Sequence, residues 1–399
     1  MIGKKGFKIF FLKIFILFLS LSPNVSHGSE GTPETANKAQ VDREILQGIE
    51  LLYSMKFNEG EDLFYKVIAK KPEDPMGYFY LAMASWSRMS DGFWSPEVVK
   101  QYGERIDKAI SVARDKIERG KADSFTYFYL GAALGFKGRF RLIQHRWLSS
   151  FFIALEAIDS LKTCQKMDPD NRDVLSGLGM YDYYTDRLSG VLRFLSFLFL
   201  YKGDKQEGLR KLHVAAEEAI YSSIEAKSML LHIYLFLESD FHKALPFAKD
   251  LAERFQSDPG YRSLEGVTYI QLDMDSKYQE VVDLFRQKSQ SERSSSIAYI
   301  WANRGLYLEA SYYLFHDQYV KARSRLEDVL AHTDPEKDPL MTVWPLLKIG
   351  MSYDLEGERE KALAYYNRIL DMENGAGAQF LAEKYIAEPI EKGDPFLGL

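Results

Sequence analysis

The chain has 399 residues, 46% hydrophobic, 14% aromatic and 27% charged, enough apolar surface for one large core or several stacked small ones. Its formal net charge of −6 disfavours a nucleic-acid ligand, whose phosphates demand clustered Lys and Arg. The single cysteine, Cys164, excludes an intrachain disulfide and any cysteine-based cluster or zinc site, and reads as a buried small apolar side chain.

Residues 1–28 differ in kind from the rest. Lys4, Lys5, Lys8 and Lys13 precede an apolar run, Ile14 to Leu21, followed by Pro23 and the small residues Ser26 and Gly28. A basic start, a short apolar stretch and a small-residue end describe a secretory signal peptide, so export to the periplasm or cell envelope is expected. An uncleaved N-terminal anchor is the alternative. Removing residues 1–28 takes away four lysines and no acid, so the net charge falls from −6 to −10. Residues 29–40, SEGTPETANKAQ, read as a polar tether.

From Val41 a helical period begins. Gly48, Phe57, Gly60, Phe64, Val67 and Pro72 follow one another as small, aromatic, small, aromatic, small and proline. Helices are expected from Pro75 to about Gly92 and, after an expanded loop, from Pro96 to Glu118. Ser95-Pro96-Glu97 supplies a capping hydroxyl, a first-turn proline and an acid, and Gly120 stops the helix. Asp123–Lys137 repeats the aromatic-rich first helix, and its partner runs to Met167. Asp168-Pro169-Asp170-Asn171 then reads as a turn between units; it lacks the glycine and closing glutamate of a calcium loop.

Ser176 to Tyr184 is a tightly packing helix with Gly177 and Gly179, followed by an apolar insertion, 188–203, and then by GDKQEGLRKLHVAAEEAI. Ser222–Asp258, Tyr261–Ser289, Ile297–Thr333 and Leu340–Asp371 are further helix pairs. In the last, Gly350 and Ala362 permit close approach around a break at Glu356-Gly357-Glu358. The turn-proximal positions Ala244, Val281, Ala322 and Ala362 are separated by 37, 41 and 40 residues, a regular repeat with enlarged loops. Ala378–Ala387 reads as a capping helix and residues 388–399 as a C-terminal tail.

The alternation of small, aromatic and proline positions resembles the tetratricopeptide repeat (TPR). Residues 172–235, with their GLGxYxYY and GDxxxGLxxLxxAA patterns, also resemble a motif of a eukaryotic TPR family linked to inclusion-body clearance and of related bacterial TPR proteins. The resemblance implies an all-α, right-handed superhelical solenoid of antiparallel helix pairs over residues 41–387, about seven or eight in number. It also implies a concave groove lined by the first helices.

Aligning the units puts Ile45, Ile49, Met229, Ile233, Tyr307, Ser311, Leu347 and Met351 at groove-facing positions. The Lys, Arg and Asn of TPR carboxylate clamps are missing from these positions. An apolar, aromatic groove suits a hydrophobic helix or peptide, or is filled by the chain's own insertion. Within the insertion, Leu192, Phe194, Leu195, Phe197, Leu198 and Phe199 are the candidate apolar contacts, buried inside the solenoid or facing a partner, a hydrophobic ligand or a membrane surface.

Catalytic signatures are missing: no nucleophile elbow, phosphate loop, zincin motif or dinucleotide fingerprint is present. His213, His232, His242 and His316 are scattered rather than paired. A helical-toroid glycosidase would need paired carboxylates beside stacking rings, for which Asp91 and Glu97 near Trp86 and Trp94, or Asp182 and Asp186 among tyrosines, are the candidates. The favoured reading is a cofactor-free, non-enzymatic scaffold for a protein or peptide partner. A hydrophobic-ligand carrier is the alternative and the hydrolase the third reading.

Overall fold

The computed structural model of the protein describes residues 33–144, 146–186 and 203–398. They are helical throughout, with no strand among the described residues. Two compact units are distinguished, residues 1–40 and 41–399. Of the first, the described part is the start of α1, which runs from Pro33 to Tyr53. The stretch read as a tether is therefore helical from Pro33, because TPETANKAQ holds no helix breaker after its proline and Pro suits a first turn.

Residues 41–399 form eight antiparallel helix pairs. α1 pairs with α2 (Phe57–Lys70), α3 (Pro75–Ser90) with α4 (Pro96–Glu118), and α5 (Ser124–Ile143) with α6 (Trp147–Met167). α7 (Val174–Asp186) packs on α8 (Lys205–Glu218) across the insertion, which lies largely outside the described residues. α9 (Ser223–His232) runs into a π-helical turn, Ile233–Leu237, before α10 (Phe241–Arg254). Then come α11 (Pro259–Gln271) with α12 (Asp275–Ser291), α13 (Ser295–Phe315) with α14 (Tyr319–His332), and α15 (Leu340–Leu355) with α16 (Arg359–Leu370). A last helix, α17 (Gln379–Ala387), packs on α16. This is the all-α solenoid of antiparallel helix pairs expected from the repeat.

The helix ends follow from local chemistry. Ser95 Oγ accepts from the Val98 amide at 3.2 Å ahead of Pro96, and Gly120 closes α4 with a φ of +67°. Asp123 and Thr126 cap α5 reciprocally, the Thr126 amide donating to Asp123 Oδ1 at 2.8 Å and the Asp123 amide to Thr126 Oγ1 at 3.2 Å. α5 extends six residues beyond the expected Lys137, since Gly138 sits against the Ser150 carbonyl oxygen of α6 without breaking the helix.

Close approach is built into the seams. A Cβ on Gly208 would lie 2.6 Å from the Tyr183 backbone nitrogen and 2.8 Å from the Gly179 carbonyl oxygen, so α7 and α8 touch backbone to backbone. In the last pair, Gly350 accepts the ring of the fully buried Tyr366, which a Cβ would meet at 2.5 Å. The largest apolar cluster runs from Val41 to Leu308, and a second gathers Leu314 to Leu397.

That second cluster includes the segment read from the sequence as a C-terminal tail. Residues 388–398 turn back onto the helix stack: Ile390 and Leu397 are buried, and Pro395–Leu397 forms a 3₁₀ turn capped by Asp394, whose Oδ1 accepts from the Phe396 amide at 3.0 Å. An apolar Phe-Leu pair gains more by burial than by staying in water.

Candidate functional site

All eight positions read as groove-facing are buried. Ile45, Ile233, Ser311, Leu347 and Met351 are fully enclosed, and Ile49, Met229 and Tyr307 nearly so. They line no open surface in this structure, and distant parts of the same chain pack against the helices that carry them. The apolar insertion contacts Leu192, Phe194, Leu195, Phe197, Leu198 and Phe199 lie outside the described residues.

Three segments supply these long-range contacts. From α1, the Tyr53 ring packs on Phe255 at 5.2 Å and Tyr261 at 6.2 Å, and its hydroxyl donates to Glu225 Oε2 at 3.4 Å. Asp42 accepts from the Tyr221 hydroxyl at 2.9 Å, and Glu50 pairs with Arg254. From the α3–α4 loop, the Trp94 amide donates to the Lys337 carbonyl oxygen at 3.0 Å. In the same loop Gly92, at a φ of +95°, lies so that a Cβ would sit 3.3 Å from Asp338 Oδ2. The third segment is the C-terminal one.

Three groups of charged residues lie among these long-range contacts. Burial raises the carboxyl of Asp91 well above its usual range, and neighbouring Asp258 raises it further. Burial pushes Asp258 itself up to about 6, although the Gly260 and Tyr261 amides and Arg304 oppose this; Asp338 is also raised by burial against the pull of Arg304. The Arg304 charge thus opposes the rise of all three carboxyls. In the second group, Arg139 Nη1 pairs with Glu225 Oε1 at 3.2 Å and lies over Trp86 at 5.2 Å, while His232, lowered by burial, bonds the Ser228 carbonyl oxygen at 2.7 Å.

The third is Lys348, fully buried on α15. Burial alone holds its ammonium well below the usual lysine range. Its Nζ donates to the carbonyl oxygens of Leu397 at 2.9 Å and Phe396 at 3.4 Å, and sits 5.2 Å from the Tyr307 ring. Sequence reading placed Leu347 and Met351 on this face but missed the lysine between them. Its signal was a lone cation in an otherwise apolar helix, LMTVWPLLKIGM.

The carboxylate pairs considered for glycoside hydrolysis are not assembled. Asp91 faces Asp258 and Arg304, whereas Glu97 lies exposed at the start of α4, where the Ser95 hydroxyl lowers its pKa. Asp182 is tied to Lys211 Nζ at 2.5 Å, and Asp186 is exposed. Trp94 stacks on Phe140 at 6.2 Å, and Trp86 packs on Tyr102 and Phe136. Among the described residues no group of three or more His, Cys, Asp or Glu could hold a metal ion. Cys164 is buried, its thiol pushed up to about 12 by burial. No described helix is long and apolar enough to cross a membrane. An open depression of about 240 Å³ lies between α2, α3 and α4, beside Tyr65, Tyr78, Arg105 and Lys108.

No family model matches the chain, and no curated protein sequence matches it. Among solved structures, it is similar to the C-terminal part of a TPR repeat-containing protein from Cytophaga hutchinsonii, with 15% identity, 74% of this chain and 96% of that one covered, and a TM-score of 0.34. Yeast Tom70 aligns at 11% identity over 87% and 89% of the two chains, with a TM-score of 0.38. The human IFIT1 dimer with m7Gppp-AAAA aligns at 13% identity over 78% and 67%, with a TM-score of 0.39. At these identities and scores the likeness carries no argument about this chain.

Proposed function

We propose that this protein is a non-enzymatic scaffold that mediates protein–protein interaction in the cell envelope. The observation that carries the reading is the architecture itself. Eight stacked helix pairs hold side chains from successive units at fixed spacing, an arrangement suited to gripping a polypeptide over several repeats. The basic and apolar N-terminus supports export, and the acidic balance argues against a nucleic-acid partner. The α3–α4 loop is tied to the segment before α15, the Trp94 amide donating to the Lys337 carbonyl oxygen at 3.0 Å.

A second reading, a hydrophobic-ligand or membrane-surface contact, draws on one corner of the molecule. Leu142, Leu148 and Phe152 are 42, 47 and 53% exposed around the α5–α6 connection, beside the exposed Arg146. Capture of the full chain from envelope extracts of its own organism, followed by mass spectrometry, tests both. A stoichiometric protein partner supports the scaffold, extractable lipid the second reading, and recovery of the chain alone refutes both.

A further inference from the structure

The seat of the C-terminal segment is built from widely separated elements. Phe396 stacks on Phe236 of the π-helical turn at 5.8 Å and 20°, and lies against Trp344 of α15 at 6.4 Å and 25°. Leu397 is buried with Leu347 and Met351, two of the positions read from the sequence as groove-facing. Gly398 sits close against Gln271 at the end of α11. The backbone is gripped as well, since Lys348 takes the carbonyl oxygens of residues 396 and 397. Rings for one side chain, an apolar recess for the next and a cation for the carbonyls make up the parts of a peptide-recognition site.

Two features set this seat apart from an ordinary chain end. Its centre is a buried amine with no carboxylate partner among the described residues, and such a group is costly to desolvate unless it is paired. An apolar side chain there would serve simple closure better. Lifting the segment returns Lys348 to water, so part of the cost of opening is refunded. The second feature is the π turn, which advances the helix register by one residue. With it, Tyr234 meets His213 and Phe247 while Phe236 meets Phe396. Such turns cluster at functional sites.

We propose that this seat is a peptide-binding site which the chain's own Asp394–Gly398 stretch occupies in cis, and that the partner is a protein segment presenting an aromatic residue followed by an aliphatic one. The proposal rests on the scaffold reading and names where that scaffold grips. Tethering gives the internal segment an effective concentration on the order of millimolar, so a weak partner gains entry only when the segment is released or outcompeted.

The test uses the full chain and a fluorescein-labelled peptide with the sequence of residues 391–398, EKGDPFLG. In Phe396→Asp the internal segment is released, and the variant is expected to bind the peptide at least tenfold more tightly than the unsubstituted chain. Adding Phe236→Ala to that variant removes half the ring clamp and is expected to abolish binding. Equal affinity for Phe396→Asp and the unsubstituted chain overturns the proposal. Should Phe396→Asp lose helix signal, hydrogen exchange on the unsubstituted chain decides. Millimolar acetylated peptide must accelerate exchange at residues 396–398, and unchanged protection there refutes cis occupancy. An envelope partner captured equally well by Phe396→Asp and the unsubstituted chain would leave the scaffold standing and place its grip elsewhere.

Discussion

Replacing Gly208 by alanine tests the seam on which the fourth helix pair depends. The added methyl would sit 2.6 Å from the Tyr183 backbone nitrogen and 2.8 Å from the Gly179 carbonyl oxygen. No rotamer change relieves that contact, because the three nearest atoms all belong to the main chain. α7 and α8 must move apart by several tenths of an ångström, which also loosens the contacts of the buried Tyr183, Leu212 and Ala215. Overpacking of this kind costs about 1–3 kcal/mol, and the rigid backbone puts Gly208→Ala at the upper end, about 3 kcal/mol. Gly135→Ala is the matched control. Gly135 is exposed within α5 and a Cβ there meets nothing within 4 Å, so the change is expected to stabilise by about 0.5–1 kcal/mol through helix propensity alone. Urea unfolding followed by circular dichroism gives the overall change. Hydrogen exchange locates it, since in a repeat stack the loss should concentrate in α7, α8 and their neighbours. A Gly208→Ala protein with an unchanged midpoint, or one destabilised no more than Gly135→Ala, would refute the backbone-contact reasoning.

Three further outcomes follow from the enclosed charges. Asp258 titrates near 6 when folded and near 3.8 unfolded, so its contribution is favourable below about pH 4 and is lost as the pH rises through 6. Asp258→Asn, which keeps a capping oxygen for Gly260 and Tyr261, should therefore gain in melting temperature over the unsubstituted chain at pH 7.5 and lose that gain by pH 4; a pH-independent difference contradicts it. Lys348 is depressed by burial, so its contribution is unfavourable at neutral pH and recovers as the pH climbs toward its unfolded value. Lys348→Met should raise the melting temperature at pH 7, with the gap closing toward pH 10, and a lower value at pH 7 would count against the argument. Arg105 holds Glu61 through Nη1 at 2.9 Å and Nη2 at 3.1 Å and also reaches Ser85 Oγ; burial works against the Glu61 carboxylate, but the guanidinium outweighs it and lowers the pKa. Arg105→Ala should cost on the order of 3 kcal/mol at pH 7, less as Glu61 protonates below pH 4, and chemical denaturation at the two pH values checks it.

Local chemistry was legible in the amino-acid order. Ser95-Pro96 and Gly120 bound α4 where expected, Asp168–Asn171 is a turn, and Gly350 sits at a close approach of α15 and α16. Each depends on residues a few positions apart or on one neighbouring helix, so the helical period and the capping residues report it directly. The same period assigned Ile45, Met229, Leu347 and the rest to the inner side of the pairs. Whether that side is open or covered was beyond it.

The covering is a tertiary matter. Asp42 meets Tyr221, Tyr53 meets Tyr261, Trp94 meets Lys337 and Phe236 meets Phe396, across separations of about 160 to 240 residues that no repeat encodes. These contacts form because the stack brings distant repeats within reach, where apolar side chains and hydrogen-bonding groups leave water for one another. The order of residues alone determined that the chain is a run of helix pairs. Only the folded stack decided that α1, the α3–α4 loop and the C-terminal segment would meet distant helices, and that Lys348 would be enclosed with two carbonyl oxygens.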